Sequence, residues 1–97
     1  MIVSLSDEAL AELIAAADWL IDDDAWAAAE ELHVEVDRAI KWLSQAPGIG
    51  TPGPEGTRIL PIHRFRYSLV YRVSGDSVRV IALAHQGREP EYWRGRG

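Results

Sequence analysis

Ninety-seven residues, 47% hydrophobic and 26% charged, suffice for one globular domain spanning 1–97 and exclude both a disordered chain and a two-domain one. The absence of cysteine excludes disulfides and thiolate metal sites; no apolar run approaches a membrane span and no signal peptide opens the chain, so a cytoplasmic protein is expected. The net charge of −5 is unevenly spread: residues 1–50 set eleven acids against Arg38 and Lys41, whereas residues 51–97 set eight arginines against four acids.

In chain order, Ile2 to Leu5 is a short β-prone run that suits an edge strand. Ser6 is a natural N-cap, with Asp7 and Glu8 placed where the helix dipole favours acids. Leu10, Leu13, Ile14, Ala17, Leu20 and Ile21 recur at three- and four-residue steps, so an amphipathic helix is expected over 7–21. The triplet Asp22, Asp23, Asp24 breaks that pattern and is expected to cap a second helix, which runs to about Gln45 with Trp26, Ala29, Leu32, Val36, Ile40 and Leu43 on one stripe. The short connection predicts an antiparallel helix hairpin.

Residues 46–56, "APGIGTPGPEG", read as loop, because their Gly and Pro content defeats both regular structures. The period then changes to two, and "TRILPIHRF", "YSLVYRV" and "SVRVIALAH" read as three strands. Pro61 argues for an edge or a bulge in the first of them. "VIALA", apolar throughout, suits a central strand covered on both faces. The expected architecture is α+β: an N-terminal edge strand, an antiparallel helix hairpin, then a three-stranded antiparallel sheet.

Few patterns carry chemistry. His33, His63 and His85 show no metal-site spacing, and the Gly-rich loop lacks the lysine and following helix of a phosphate cradle. No nucleophile motif is present, so no catalytic residue, metal or cofactor is assigned. The ending "LAHQGREPEYWRGRG" is the exception, with His85, Arg88, Tyr92, Trp93, Arg94 and Arg96 gathered in a chain that is acidic as a whole. Trp93 suits packing, because large aromatics are mostly buried. The arginines suit an outward contact set, with Pro90 stopping the last strand. Removal of everything after Gly87 is then expected to leave much of the hairpin and sheet formed. Val34 and Trp42 lie off the main stripe of the second helix, so exposed apolar residues are expected on the hairpin and on the outer face of the sheet.

"YSLVYRV", "VRVIALAHQGREPEYW" and the closing "RGR", with "LSDEALAELIAAADWL", "EVDRAIKWLSQAPGIGTP" and "GTRILPIHRFRY" before them, resemble the RelE/ParE superfamily of bacterial toxins over almost the whole chain. The resemblance implies the toxin of a type II toxin–antitoxin module, neutralised by a cognate antitoxin. RelE-type members cleave ribosome-bound messenger RNA with basic residues of the sheet. At the matching positions this chain has Ile59, Pro61, Ser68 and Gln86, and only the C-terminal tyrosine matches, as Tyr92. Arg58, Arg64 or Arg66 are the nearby cations able to substitute. "RFRY" before "SLVYRV", with the "HQGREPEYW" ending, is closer to ParE-type members, which inhibit DNA gyrase without catalytic residues, although Arg66 replaces their usual proline. Three outcomes remain open: a ParE-like gyrase inhibitor, a RelE-like metal-independent endoribonuclease using His85 or Tyr92, or a degenerate toxin that only binds antitoxin. The expectation is the first. Its target-binding candidates are Arg58, Arg64, Arg66, His85, Arg88, Tyr92, Trp93, Arg94 and Arg96, and its antitoxin-interface candidates are Val34 and Trp42. Sequence-specific DNA binding by this chain and membrane association are not expected.

Overall fold

A computed structural model describes residues 1–97. Strand β1 (Ile2–Leu5) leads through Ser6 into helix α1 (Asp7–Asp22). The Ser6 hydroxyl accepts the Ala9 amide at 3.1 Å, and the Ser6 amide donates to the Val80 carbonyl at 2.9 Å. One residue thus caps the helix and ties it to the sheet, and it is fully buried in doing so.

Helix α2 (Trp26–Gln45) follows after a tight turn, and both helices lie on one face of the sheet. The Asp triplet does not cap α2 as expected. Asp24 takes a left-handed φ of 59°, its carboxylate accepts the Trp26 indole N–H at 3.2 Å, and the N-cap position falls to Ala25 without a side-chain bond. A connection this short leaves no residue both extended and carboxylate-bearing at the start of α2.

The stripe on α2 is otherwise as expected. Ala29, Leu32, Val36, Ala39 and Leu43 are buried and Ile40 partly so, whereas Trp26, on the first turn, is 60% exposed. On α1 the stripe is shifted: Ala9 and Ala16 are buried with Leu13 and Leu20 against them, while Leu10 and Ile14 face outward. The helix is apolar round more than half its circumference, so periodicity alone cannot choose its inner face. The alanine edge wins, and small side chains there let α1 lie close to the sheet.

After α2 the chain adds β2 (Thr51–Pro52), a 3-10 turn at Pro54–Gly56, β3 (Arg58–Pro61), β4 (Tyr67–Ser74) and β5 (Ser77–His85). The sheet is mixed and five-stranded, in the order β1-β5-β4-β3-β2: β1 is the edge strand expected, β3, β4 and β5 are the three antiparallel strands expected, and β2 adds a second edge. Strand β1 pairs parallel to β5, Ile2 to Leu5 opposite Ser77 to Val80. Strand β2 is two residues of the expected loop folded back on Ile59 and Arg58. Both additions are decided by long-range pairing that local patterning does not encode. Pro61 sits at the end of β3 beyond the β2 pairing, where its missing N–H costs no ladder bond.

Two further devices shape the second half. Between Val70 and Tyr71 the β4–β5 register shifts, pairing Val70 with Ala82 and Tyr71 with Val80, so Ile81 is an extra residue on β5. The bulge moves the alternation by one: Val78, Val80 and Leu83 join the helix-side core, and Ile81 and Ala82 go to the other face. The loop before β2 is pinned by Tyr71, whose hydroxyl donates to the Pro47 carbonyl at 2.7 Å and accepts the Gly50 amide at 2.9 Å. A Cβ on Gly50 would stand 2.7 Å from that oxygen, so the approach requires glycine.

Candidate functional site

Strand β5 outruns its neighbour. β1 ends opposite Val80, and the β5 edge from Ile81 onward would be bare. The C-terminal segment and one acid of α1 close it. The Glu12 carboxylate accepts the Leu83 amide at 3.2 Å and Arg96 Nη1 at 2.8 Å on one oxygen. On the other oxygen it accepts the Tyr92 hydroxyl and Arg88 Nη1, the latter at 3.4 Å. Arg96 Nη1 also donates to the Ile81 carbonyl at 3.1 Å. The Arg88 guanidinium lies 3.8 Å from the centre of the Tyr92 ring.

Trp93 is packed as expected, 3% exposed, against Val70, Ile81 and Ala82 on the face away from the helices. Over Val70, Ile81 and Ala82 that face is consequently covered, not the exposed apolar surface expected of it. The segment is also tied further along. Arg72 of β4 donates to the Arg96 carbonyl at 2.6 Å, and Glu55 accepts the Gly95 amide at 2.9 Å. Removal of the residues after Gly87, expected to leave much of the sheet formed, would therefore also strip Trp93 from a core. Strand β5 stops at His85, five residues before Pro90, where the Arg88 amide turns back to the His85 carbonyl at 3.1 Å.

The arginine candidates do not share one role. Arg96 is tucked against Glu12 rather than pointing outward as expected, and Arg58 is turned onto the carbonyls of Gly48 and Gly50 at 3.3 and 2.7 Å. Arg64 has a left-handed φ of 70° and pairs with Glu31 of α2 at 2.7 Å. Arg94 pairs with Glu91 at 2.8 Å and remains exposed, as does Arg88. Arg66 is exposed and has no side-chain partner. His85 stacks edge-on to Tyr67 at 5.0 Å between ring centres, and its Nδ1 accepts the Gly87 amide at 3.0 Å.

A cleft of about 250 Å³ opens on the outer face of the sheet, lined by Ile59, Ser68, His85, Gln86, Arg88 and Tyr92 among others. The antitoxin-interface candidates lie on the opposite side of the molecule's chemistry, on the hairpin. Val34 is 50% exposed beside Trp26 and Ile21 in one groove, and Trp42, 55% exposed, stands between two others. The structure thus exposes both but does not bring them into one groove. Glu12, Glu55 and Arg72 were not among the expected site residues. The one signal for Glu12 is its spacing: three residues after Ala9 and four before Ala16, it borders the buried stripe rather than the solvent face.

Burial, then the hydrogen bond to Glu12 and the nearness of its charge, push the Tyr92 hydroxyl up to about 12. A raised value favours the protonated form in the folded state. Its contribution to stability is complete below about pH 10, the ordinary tyrosine value, and is lost as pH rises through about 12. Absorbance titration of the tyrosines should show a late transition that disappears in Tyr92→Phe. Tyr67, raised by burial, accounts for any smaller delay that persists. Ionisation of Tyr92 near pH 10 would contradict the contact.

Residues 3–90 match the family described as "ParE toxin of type II toxin-antitoxin system, parDE". A solved structure described as the chromosomal ParDE TA system from P. aeruginosa shares the fold, with a TM-score of 0.78 at 24% identity, covering 88% of this chain and 95% of that one. No curated protein sequence matches the chain. The chain belongs to the ParE toxin family of type II toxin–antitoxin systems. No helix is long and apolar enough to cross a membrane.

Proposed function

We propose that this chain is a growth-inhibiting toxin that acts by binding DNA gyrase and breaks no bond itself, and that a cognate antitoxin neutralises it. One observation carries the non-nucleolytic part. Ile59, Ser68 and Gln86 stand where the resemblance places the basic residues of RelE-type members, and they converge with Tyr92 on a cleft of the outer face. The sheet brings no lysine or arginine to it. Arg88, from the segment after β5, is its one arginine, and it leans on Tyr92 and Glu12. A phosphodiester transition state needs cations preorganised at the phosphate and a proton acceptor of suitable pKa. Tyr92, raised to about 12 and bonded to a carboxylate, is poorly suited to accept a proton at neutral pH. Gyrase as the target rests on the likeness to ParE-type members in "RFRYSLVYRV" and "HQGREPEYW".

The antitoxin reading is supported by the exposed apolar side chains of the hairpin, Leu10, Ile14, Trp19, Trp26, Val34 and Trp42. So many on two adjacent helices exceed the scattered exposure of an ordinary surface. Eleven of the fifteen acids lie in residues 1–50, which carry both helices, so the segment that covers them should carry basic residues at its rim.

The test uses purified protein in two assays: supercoiling of relaxed plasmid by gyrase, and integrity of a message on programmed ribosomes. Blocked supercoiling with intact message is expected. Site-specific message cleavage, abolished by His85→Ala in a folded protein, would establish the ribonuclease instead. Inactivity in both assays, with antitoxin binding retained, would mark a toxin that has lost its action.

A further inference from the structure

We infer that Glu12 is the positioning residue of the C-terminal segment: from α1 it holds Arg88, Tyr92 and Arg96 against the bare edge of β5, and so fixes where the segment presents its exposed side chains. As a statement about toxin action, this rests on the reading of residues 88–96 as a contact surface.

The geometry is specific. Each carboxylate oxygen serves two donors, and the four come from a strand amide and three residues of the tail. Glu12 is largely shielded from water, its side chain 15% exposed, so these are charge-assisted bonds in a partly dry site. Glu12 is the carboxylate that bonds this edge, with Glu8 near enough to add its charge at Arg96. Glu55, the second tether, holds the backbone at Gly95 on the far side of Trp93. Trp93 fixes the depth of the segment on the sheet, and Glu55 and Arg72 hold its far end at Gly95 and Arg96. Glu12 is the one side chain outside the segment that binds Arg88 and Tyr92, so it sets the course of the stretch before Trp93. Arg88 illustrates the consequence. It is mostly exposed, yet its guanidinium is aligned over the Tyr92 ring with Nη1 on Glu12, rather than sampling solvent. A planar cation held in one orientation loses less rotamer freedom on meeting an anionic partner.

The test is Glu12→Gln, which keeps the side chain's shape and one acceptor but removes the charge and the second acceptor oxygen. Amide hydrogen exchange should accelerate about tenfold or more over residues 88–96, since the bonds lost are to a charged group. Exchange in α2 and β4 should be unchanged. Gyrase inhibition should weaken while affinity for the antitoxin stays the same, a split that general destabilisation would not give. In a Tyr92→Phe and Arg96→Gln background, the further change of Glu12 to Gln should add less than it does alone, because two of its four donors are already gone. Should Glu12→Gln fail to fold, Glu12→Asp retracts the carboxylate by one methylene and carries the same readings. Unchanged exchange over 88–96 overturns the inference whatever the potency. Faster exchange with full potency upholds Glu12 as the anchor and overturns the contact-surface reading instead.

Discussion

Replacing Trp93 by alanine is expected to cost about 3–5 kcal/mol of folding stability, the range for deleting a buried tryptophan. For a domain of this size, whose whole stability is about 5–15 kcal/mol, that is a large share. The reason lies in what the ring covers. Val70, Ile81 and Ala82 are at most 1% exposed only because Trp93 lies over them, and the helices cannot help because they occupy the other face. Thermal unfolding should shift downward by on the order of 15–30 °C. The measurement is a denaturation curve of Trp93→Ala beside that of Trp93→Phe, which fills much of the same space and should lose far less. A loss under about 1 kcal/mol in the alanine variant would mean that the face is closed by something other than this residue. The same reasoning makes deletion after Gly87 a poor probe of function, since it removes core as well as contact surface.

The second large effect is expected on neutralisation rather than on folding. Changing Trp26 and Trp42 together to glutamate should leave the circular dichroism spectrum and melting temperature nearly intact, because both side chains are more than half exposed. Affinity for the antitoxin should fall by about a hundredfold or more, as it does when aromatic anchors are lost from the centre of an interface. The added charges are of the same sign as the acids already surrounding these helices and would not repel a basic-rimmed segment. Lost affinity would therefore report the missing aromatic area. In cells, co-expressed antitoxin should no longer relieve growth arrest by the double variant. Full relief, with unchanged affinity, would show that the antitoxin grips elsewhere.

Much of this protein was legible one element at a time. Ser6 with Asp7 and Glu8 marks the start of α1 to the residue, because an N-cap is a local bond between neighbours. The alternation of "YSLVYRV" and "SVRVIALAH" marks β4 and β5, because side chains in strands alternate whatever the strands pair with. The burial of Trp93 followed from its size and chemistry alone. Residue order also carried the likeness to ParE-type toxins, with which the family match over residues 3–90 agrees.

What local pattern could not decide was decided by partners distant in the chain. The parallel pairing of Ile2–Leu5 with Ser77–Val80 spans most of the sequence, and the bulge at Ile81 arises from the register of two strands together. The inner face of α1 was ambiguous because apolar residues surround most of the helix, and close approach to the sheet selected Ala9 and Ala16 over Leu10 and Ile14. Glu12 and Tyr92 lie eighty residues apart, and nothing local to either names the other. They meet because β1 is shorter than β5 and an unpaired strand edge must find donors and acceptors somewhere. Residue types and spacing determined which elements form and which residues are available for contact. Only the tertiary structure, by leaving that edge open and folding the tail across it, divided the arginines into those that build the surface and those that remain on it.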